Sequence, residues 1–191
     1  MSDVLILESA APPGASLDAA TLSRLAAGEV IVTTEPVEGS PAPRLIVWAL
    51  IDASPEAVWV HISNPAAHEQ FMPRVKRSEE LWREGNENRM RTTIDMPFPL
   101  KNLTATSKGK HFVEVGVRWE RAWKMEHGDY NVNEGSWIIE PFPGQPSKTL
   151  ALYRAIVHPK VMIPKAIQSA VQEKAMPKMI EALRERVKST R

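Results

Sequence analysis

The chain has 191 residues, with 24 Lys and Arg against 23 Asp and Glu and no cysteine. That length fits one domain with a sizeable core. The near balance of charge offers little to nucleic acid or an anionic membrane, and the missing thiols exclude disulfides, thiolate chemistry and Cys-containing zinc sites.

The first apolar run, Val4 to Leu7, is bounded by Asp3 and Glu8 and has no basic flank. Nothing approaches the roughly 20 apolar residues of a membrane span, so neither a signal peptide nor stable membrane insertion is expected, and a soluble cytoplasmic protein is. Ser16-Leu17-Asp18 opens a short helix with Leu17, Leu22, Leu25 and Ala26 on one side, and Gly28 closes it. Residues 1–27 therefore read as an extension and 28–191 as the domain. Val30 to Glu35 is a β-branched run, and Pro36 to Pro43 a turn. Leu45 to Asp52 is apolar on both parities, as in a strand covered on both faces.

Ser54, Pro55 and Glu56 form a helix start by capping, fixed φ and dipole preference. A second start at Asn64-Pro65 predicts two short helices, Pro55 to Ile62 and Pro65 to Phe71. Strand character follows. Met90, Thr92, Ile94 and Met96 alternate with Arg89, Arg91 and Asp95. From His111, one row holds Val113, Val115, Val117, Trp119, Trp123 and Met125, with Arg121 as its exception, while Glu114, Arg118, Glu120 and Lys124 face the other way. Thr149, Ala151, Tyr153, Ala155 and Val157 form a further inner row, though Leu150, Leu152 and Ile156 leave that strand's facing open. Turn signals at Glu84-Gly85-Asn86, Ser107-Lys108-Gly109, His127-Gly128-Asp129 and Pro141 to Ser147 predict a largely antiparallel sheet of sequential neighbours.

The chain closes in a long helix from Ile163-Pro164. Ile163, Ile167, Ala170 and Val171 share one side, and Met176, Met179, Ile180, Leu183 and Val187 another. Pro177 between them predicts a kink or break near Lys174 to Pro177, with the first half roofing a cavity and the second anchoring.

Motif chemistry is sparse. No HExxH pattern, Gly-x-Ser-x-Gly elbow or phosphate-binding glycine loop is present. His61 and His68 straddle the Asn64-Pro65 break, and with His111, His127 and His158 they read as packing or surface residues. Arg118 and Arg121 around Trp119 read as solvated strand charges rather than a nucleic-acid surface. Neither a metal site nor a cofactor is expected. The tryptophans, methionines, Phe71, Phe98 and Tyr153 supply apolar area with a few polar ends, which suits a core or a ligand pocket.

The order of strand, two short helices, long meander and C-terminal helix resembles the α+β helix-grip fold of the START and Bet v-type superfamily (SRPBCC), including polyketide cyclase-like proteins. Asp52-Ala53-Ser54-Pro55-Glu56-Ala57-Val58-Trp59, Pro97-Phe98-Pro99-Leu100-Lys101-Asn102-Leu103, Gly135-Ser136-Trp137, Thr149 through Tyr153 and Ile163-Pro164 to Leu183-Arg184 carry the likeness over Gly28 to Lys188. The Arg-Asp pair that START-like relatives often have after the Pro-x-Pro segment is replaced by Asn102-Leu103.

The resemblance implies a cavity between a curved antiparallel sheet and the closing helix, used for a lipid, sterol, quinone or polyketide-like molecule. The expected lining is Phe71, Met90, Ile94, Met96, Val117, Trp119, Trp123, Trp137 and Tyr153, closed by Ile167 and Val171. A non-catalytic binder or carrier is the leading expectation, with transient membrane contact permitted and oligomeric state open. A cyclase or aromatase would use Tyr153 helped by Arg121, and an inward Arg121 hydrogen-bonded to Tyr153 would favour it. A protein-interaction module, as among ribosome-associated and coenzyme Q-binding relatives, would instead need an exposed apolar patch.

Overall fold

A computed structural model describes residues 13–190, apart from the side chains at 13, 169, 171 and 172. The Val4 to Leu7 run and the side chain of Val171 lie outside the described residues.

Eight strands form one antiparallel sheet: β1 (Ile31–Glu35), β2 (Arg44–Ile51), β3 (Val75–Glu84), β4 (Glu87–Ile94), β5 (Leu103–Glu114), β6 (Arg118–Gly128), β7 (Tyr130–Phe142) and β8 (Gln145–Pro159). Their spatial order is β1-β2-β8-β7-β6-β5-β4-β3, so the meander from β3 to β8 is sequential and the early hairpin adds beside β8. Between β2 and β3 come helix α2 (Pro55–Ile62) and a 3₁₀ stretch, Pro65–Gln70. The Ser54 hydroxyl accepts from Ala57 N at 3.5 Å to cap α2, with Pro55 in its first turn as the sequence demands.

The sheet has two covered faces at its β2 and β8 side. On the outer one lies α1 (Ala19–Ala26), capped by Asp18, whose Leu25 packs with Leu50, Phe142 and Leu150. Val47, Ala49 and Ile51 point inward to Val58, Ile62, Trp137 and Ile139. This double cover explains why β2 is apolar on both parities and why β8 resisted assignment. Thr149, Ala151 and Tyr153 pair with Ile51, Ala49 and Val47, so they share the inner face, and Leu150 belongs to the outer cluster.

One turn expectation needs correction. Ser107-Lys108-Gly109 lies inside β5, where Gly109 pairs with Asn88 and with Trp123 and its glycine serves close packing. The turn instead falls at Val115-Gly116-Val117, with Gly116 at φ 80, a conformation few other residues adopt. Its three residues keep odd and even positions on the same faces across the hairpin, since Val113 pairs with Trp119. The single row read from His111 onward is thus right in its facing and is two strands. Val115 and Val117 sit at the hairpin tip, 76% and 41% exposed.

The strand charges also differ from expectation. Arg118 and Glu120 are buried in contact with one another on the outer face, and Arg121 is buried on the inner one. Glu140, also buried, accepts a hydrogen bond from Gly14 N at 2.7 Å and so ties the start of the described chain to the outer face.

The closing helix is divided as Pro177 requires. Helix α3 (Lys165–Ala170) widens into a π segment, Val171–Ala175, and continues as α4 (Met176–Ser189). Pro177 lacks an N–H and its ring crowds the carbonyl four residues back, at Glu173, inside the widened segment. Ile180, Leu183 and Val187 of α4 are at most 3% exposed against the inner face, each contributing roughly 1.5–3 kcal/mol by burial. The Arg184 guanidinium donates to Leu50 O at 3.0 and 2.8 Å and to Gly28 O at 3.2 Å, fastening the same half to the end of β2 and to the glycine just past the C-cap of α1. Arg184→Met should lower the unfolding free energy by about 2 kcal/mol in urea titrations, the worth of a charge-assisted hydrogen bond plus orphaned carbonyls. An unchanged midpoint would show that α4 is held by its apolar stripe alone.

Candidate functional site

One transverse rung of the inner face carries the polar chemistry. Val47 pairs with Tyr153, Tyr153 with Trp137, Trp137 with Arg121 and Arg121 with His111, so five successive strands place these side chains side by side. The next rung runs Gly135, Trp123, Gly109, Asn88. Its two glycines are vacancies that larger neighbours fill. A Cβ on Gly135 would meet the Arg154 carbonyl oxygen at 2.2 Å and the Trp123 ring at 2.7 Å, and one on Gly109 would meet Asn88 Oδ1 at 2.2 Å. Trp123 therefore lies flat over Gly135, donates Nε1–H to Asn133 Oδ1 at 3.2 Å and stacks on Tyr153 with centroids 5.6 Å apart. Trp137 closes on the other side of Tyr153 at 4.9 Å.

Arg121 is only 7% exposed, and its guanidinium carbon lies 5.5 Å from the Trp123 ring centroid. Its Nε has no hydrogen-bond partner among the described residues. Burial lowers its pKa to about 10, which leaves it charged at neutral pH. Beside it, burial raises the Tyr153 hydroxyl to about 12 against the opposing pull of Arg121, so the phenol stays protonated. Both side chains face inward and sense each other electrostatically, without the hydrogen bond that the cyclase expectation named.

From the helical side come rings and imidazoles. Trp59 of α2 meets His111 edge-on at 5.3 Å, and Phe71 meets His68 at 5.7 Å and the Arg186 guanidinium at 5.8 Å. His68 Nε2–H donates to His61 O at 3.3 Å. Burial, then the nearby Arg121 charge, push His68 down to about 3 and His111 to about 4. Both are neutral imidazoles at physiological pH, and His111 Nε2 and Asn88 Oδ1 lack partners. At the rim, Glu80 binds Arg83 by Nε–H and Nη2–H at 3.0 and 2.6 Å and Asn88 Nδ2–H at 3.0 Å. Among the described residues no group of three or more His, Asp or Glu side chains could hold a metal ion.

Of the residues named from sequence, Trp119, Trp123, Trp137 and Tyr153 lie on the inner face with Arg121. Met90 is buried on β4 and pairs with Ser107, while Met96 packs in a separate cluster with Leu103, Ala105, Met125 and Tyr130. Ile94 and Ile167 are half-buried, and Phe71 borders the histidines. Val117, at the hairpin tip, is removed from the site because the turn at Gly116 takes it there. His68, His111, Asn88 and Trp59 are additions that sequence reasoning missed. The available signal was Arg121 itself, the one charge in an apolar row, whose strand partner His111 follows once the hairpin is placed at Gly116.

A curved, open antiparallel sheet gripping a C-terminal helix, with a ring-lined inner face, defines a START-like helix-grip protein. The chain belongs to the polyketide cyclase / dehydrase and lipid transport family, whose model matches residues 51–184. A sequence search of curated proteins finds no match. Among solved structures the fold is similar to a STAR-related lipid transfer protein of Xanthomonas axonopodis, with TM-score 0.70 and 17% identity over 83% of this chain and 93% of that one. The human StAR-related lipid transfer protein 5 aligns at TM-score 0.73 and 14% identity, covering 85% and 83% of the two chains. The Zhui aromatase/cyclase of a Streptomyces species aligns at TM-score 0.62 and 13% identity, covering 78% and 95%. No helix among the described residues is long and apolar enough to cross a membrane.

The two imidazoles predict acid sensitivity. Their folded pKa values lie below the ordinary 6.5, so the unfolded chain binds protons more readily. The stability tied to their neutral forms is complete above about pH 6.5 and is lost as pH falls toward 4 and then 3. Melting temperature should drop over that window, and His68→Gln should flatten the drop; parallel curves for variant and parent would contradict the assignment.

Proposed function

We propose that this chain binds a hydrophobic small molecule without covalent chemistry, between the inner face of the sheet and the closing helix, and acts as its carrier. The observation that carries the reading is the aromatic wall of the inner face, where Trp123 and Trp137 meet the half-buried Tyr153 with ring centroids 5.6 and 4.9 Å away. Rings grouped on the inner face of a curved sheet suit the wall of a pocket for an apolar molecule. Trp123 and Trp137 against Tyr153 provide flat apolar area, and burial at ~25 cal/mol per Å² suffices for useful affinity toward a lipid-sized molecule. Trp119, Met90 and Ile94 extend the lining, with Phe71 at the helical border and Ile167 on the closing side. The shared fold of lipid transfer proteins supports this reading by analogy.

A cyclase-type reaction is the second reading, favoured by one observation, the inward Arg121 beside Tyr153. There the guanidinium would polarise a substrate carbonyl and the protonated phenol would donate to it.

Native mass spectrometry of the purified protein, followed by a panel of fatty acids, sterols, quinones and polycyclic aromatics read by tryptophan fluorescence, tests the carrier reading. A bound small molecule, or saturable quenching by at least one class, is expected. Trp123→Ala should weaken that binding by about tenfold, the loss of one stacked ring. Absence of any binding across the panel overturns the proposal, and chemical conversion of a bound polyketide-like compound would replace it with the second reading.

A further inference from the structure

The charge around Arg121 does not balance. β3 supplies Glu80 and Arg83, β4 Asn88, β5 His111, β8 Tyr153 and the 3₁₀ stretch His68. Glu80 is the one carboxylate in that set, and Arg83 and Asn88 already engage both its oxygens. The histidines are neutral and the phenol keeps its proton. One positive charge, on Arg121, therefore remains inside the fold without a counter-ion among the described residues, although a buried guanidinium normally needs an acid beside it.

We propose that the ligand is a carboxylic acid bound as its anion, with the carboxylate on the Arg121 guanidinium and the apolar body against Trp123, Trp137 and Tyr153. The inference rests on the binding function proposed above. Three features select this chemistry. The unpartnered Nε marks the side-on edge of the guanidinium, where Nε–H and a terminal N–H grip a planar carboxylate in parallel. A single uncompensated cation matches a monoanion and would leave a phosphate dianion half neutralised. The orphaned His111 Nε2, on Arg121's own rung, and Asn88 Oδ1, on the adjacent one, can serve a further oxygen or hydroxyl on the same molecule.

Two probes with one body and different heads test this: 1-pyrenebutanoic acid and 1-pyrenebutanol, titrated by fluorescence into the full chain. The parent protein is expected to bind the acid at least about tenfold more tightly than the alcohol, the range of one charge-assisted hydrogen-bond pair. Arg121→Met should bring the acid down to the alcohol's affinity while leaving the alcohol within about threefold, and Arg121→Lys should keep part of the preference because the charge survives without the fork. The ligand-free Arg121→Met protein should melt no lower than the parent, since the substitution removes a buried unpaired charge. Equal binding of acid and alcohol by the parent overturns the carboxylate proposal and leaves the carrier function standing. Failure of both probes counts against binding itself. Should Arg121→Met not fold, the acid-to-alcohol ratio of the parent decides alone.

Discussion

Everything inside this fold depends on one half of one helix being fixed across the sheet. Ile180, Leu183 and Val187 fill the inner side of β2, and Arg184 reaches the carbonyls of Leu50 and Gly28 from the same helix. The anchor is both apolar and directional, so the helix can neither roll nor slide. Pro177 and the π segment then end its influence. Before them, among the described side chains, Ile163 and Ile167 are half-buried and Lys165, Ala166, Gln168 and Ala170 exposed.

The inner face divides accordingly. Toward α4 it is a close-packed core in which Val47, Ala49, Ile51 and Ile139 are at most 1% exposed. Away from it, Tyr153 and Trp123 are only half-buried, and the Arg121 Nε has no hydrogen-bond partner among the described residues. The second region is costly to the fold, because Arg121 Nε, His111 Nε2 and Asn88 Oδ1 are withdrawn from water without hydrogen-bond partners among the described residues. The proposed carboxylate recognition rests on this arrangement of one cation among neutral polar groups and flat rings.

Much of the architecture was legible in the sequence because local rules and burial agreed. Ser54-Pro55 started a helix where capping chemistry says it should, Pro177 disrupted the closing helix, and strand parity assigned the tryptophans to the face they occupy. The failures have equally local causes. Val115-Gly116-Val117 is β-branched on both sides of its glycine, so the pattern of a single strand concealed a hairpin. Gly109 resembled a turn signal because its real reason, the side chain of Asn88 lying over it, comes from a neighbouring strand. Arg118 and Arg121 looked solvated because near-neutral composition cannot reveal whether a charge is covered. His68 and His111 join the site only through tertiary pairing, which no spacing rule along the chain encodes.

The two glycines that flank Trp123 lead to a further point about how such an interior is tuned. Its contour is written partly in missing atoms: Gly109 and Gly135 are the positions whose lack of a side chain lets Asn88 and the indole lie down against the backbone. A methyl group at Gly109 would displace the Asn88 amide, whereas one at Gly135 would meet the Arg154 carbonyl as well as the indole, so the strand itself would have to shift. The contour of the floor at Gly109 can thus change by a single carbon, with the rings of the inner face left as they are.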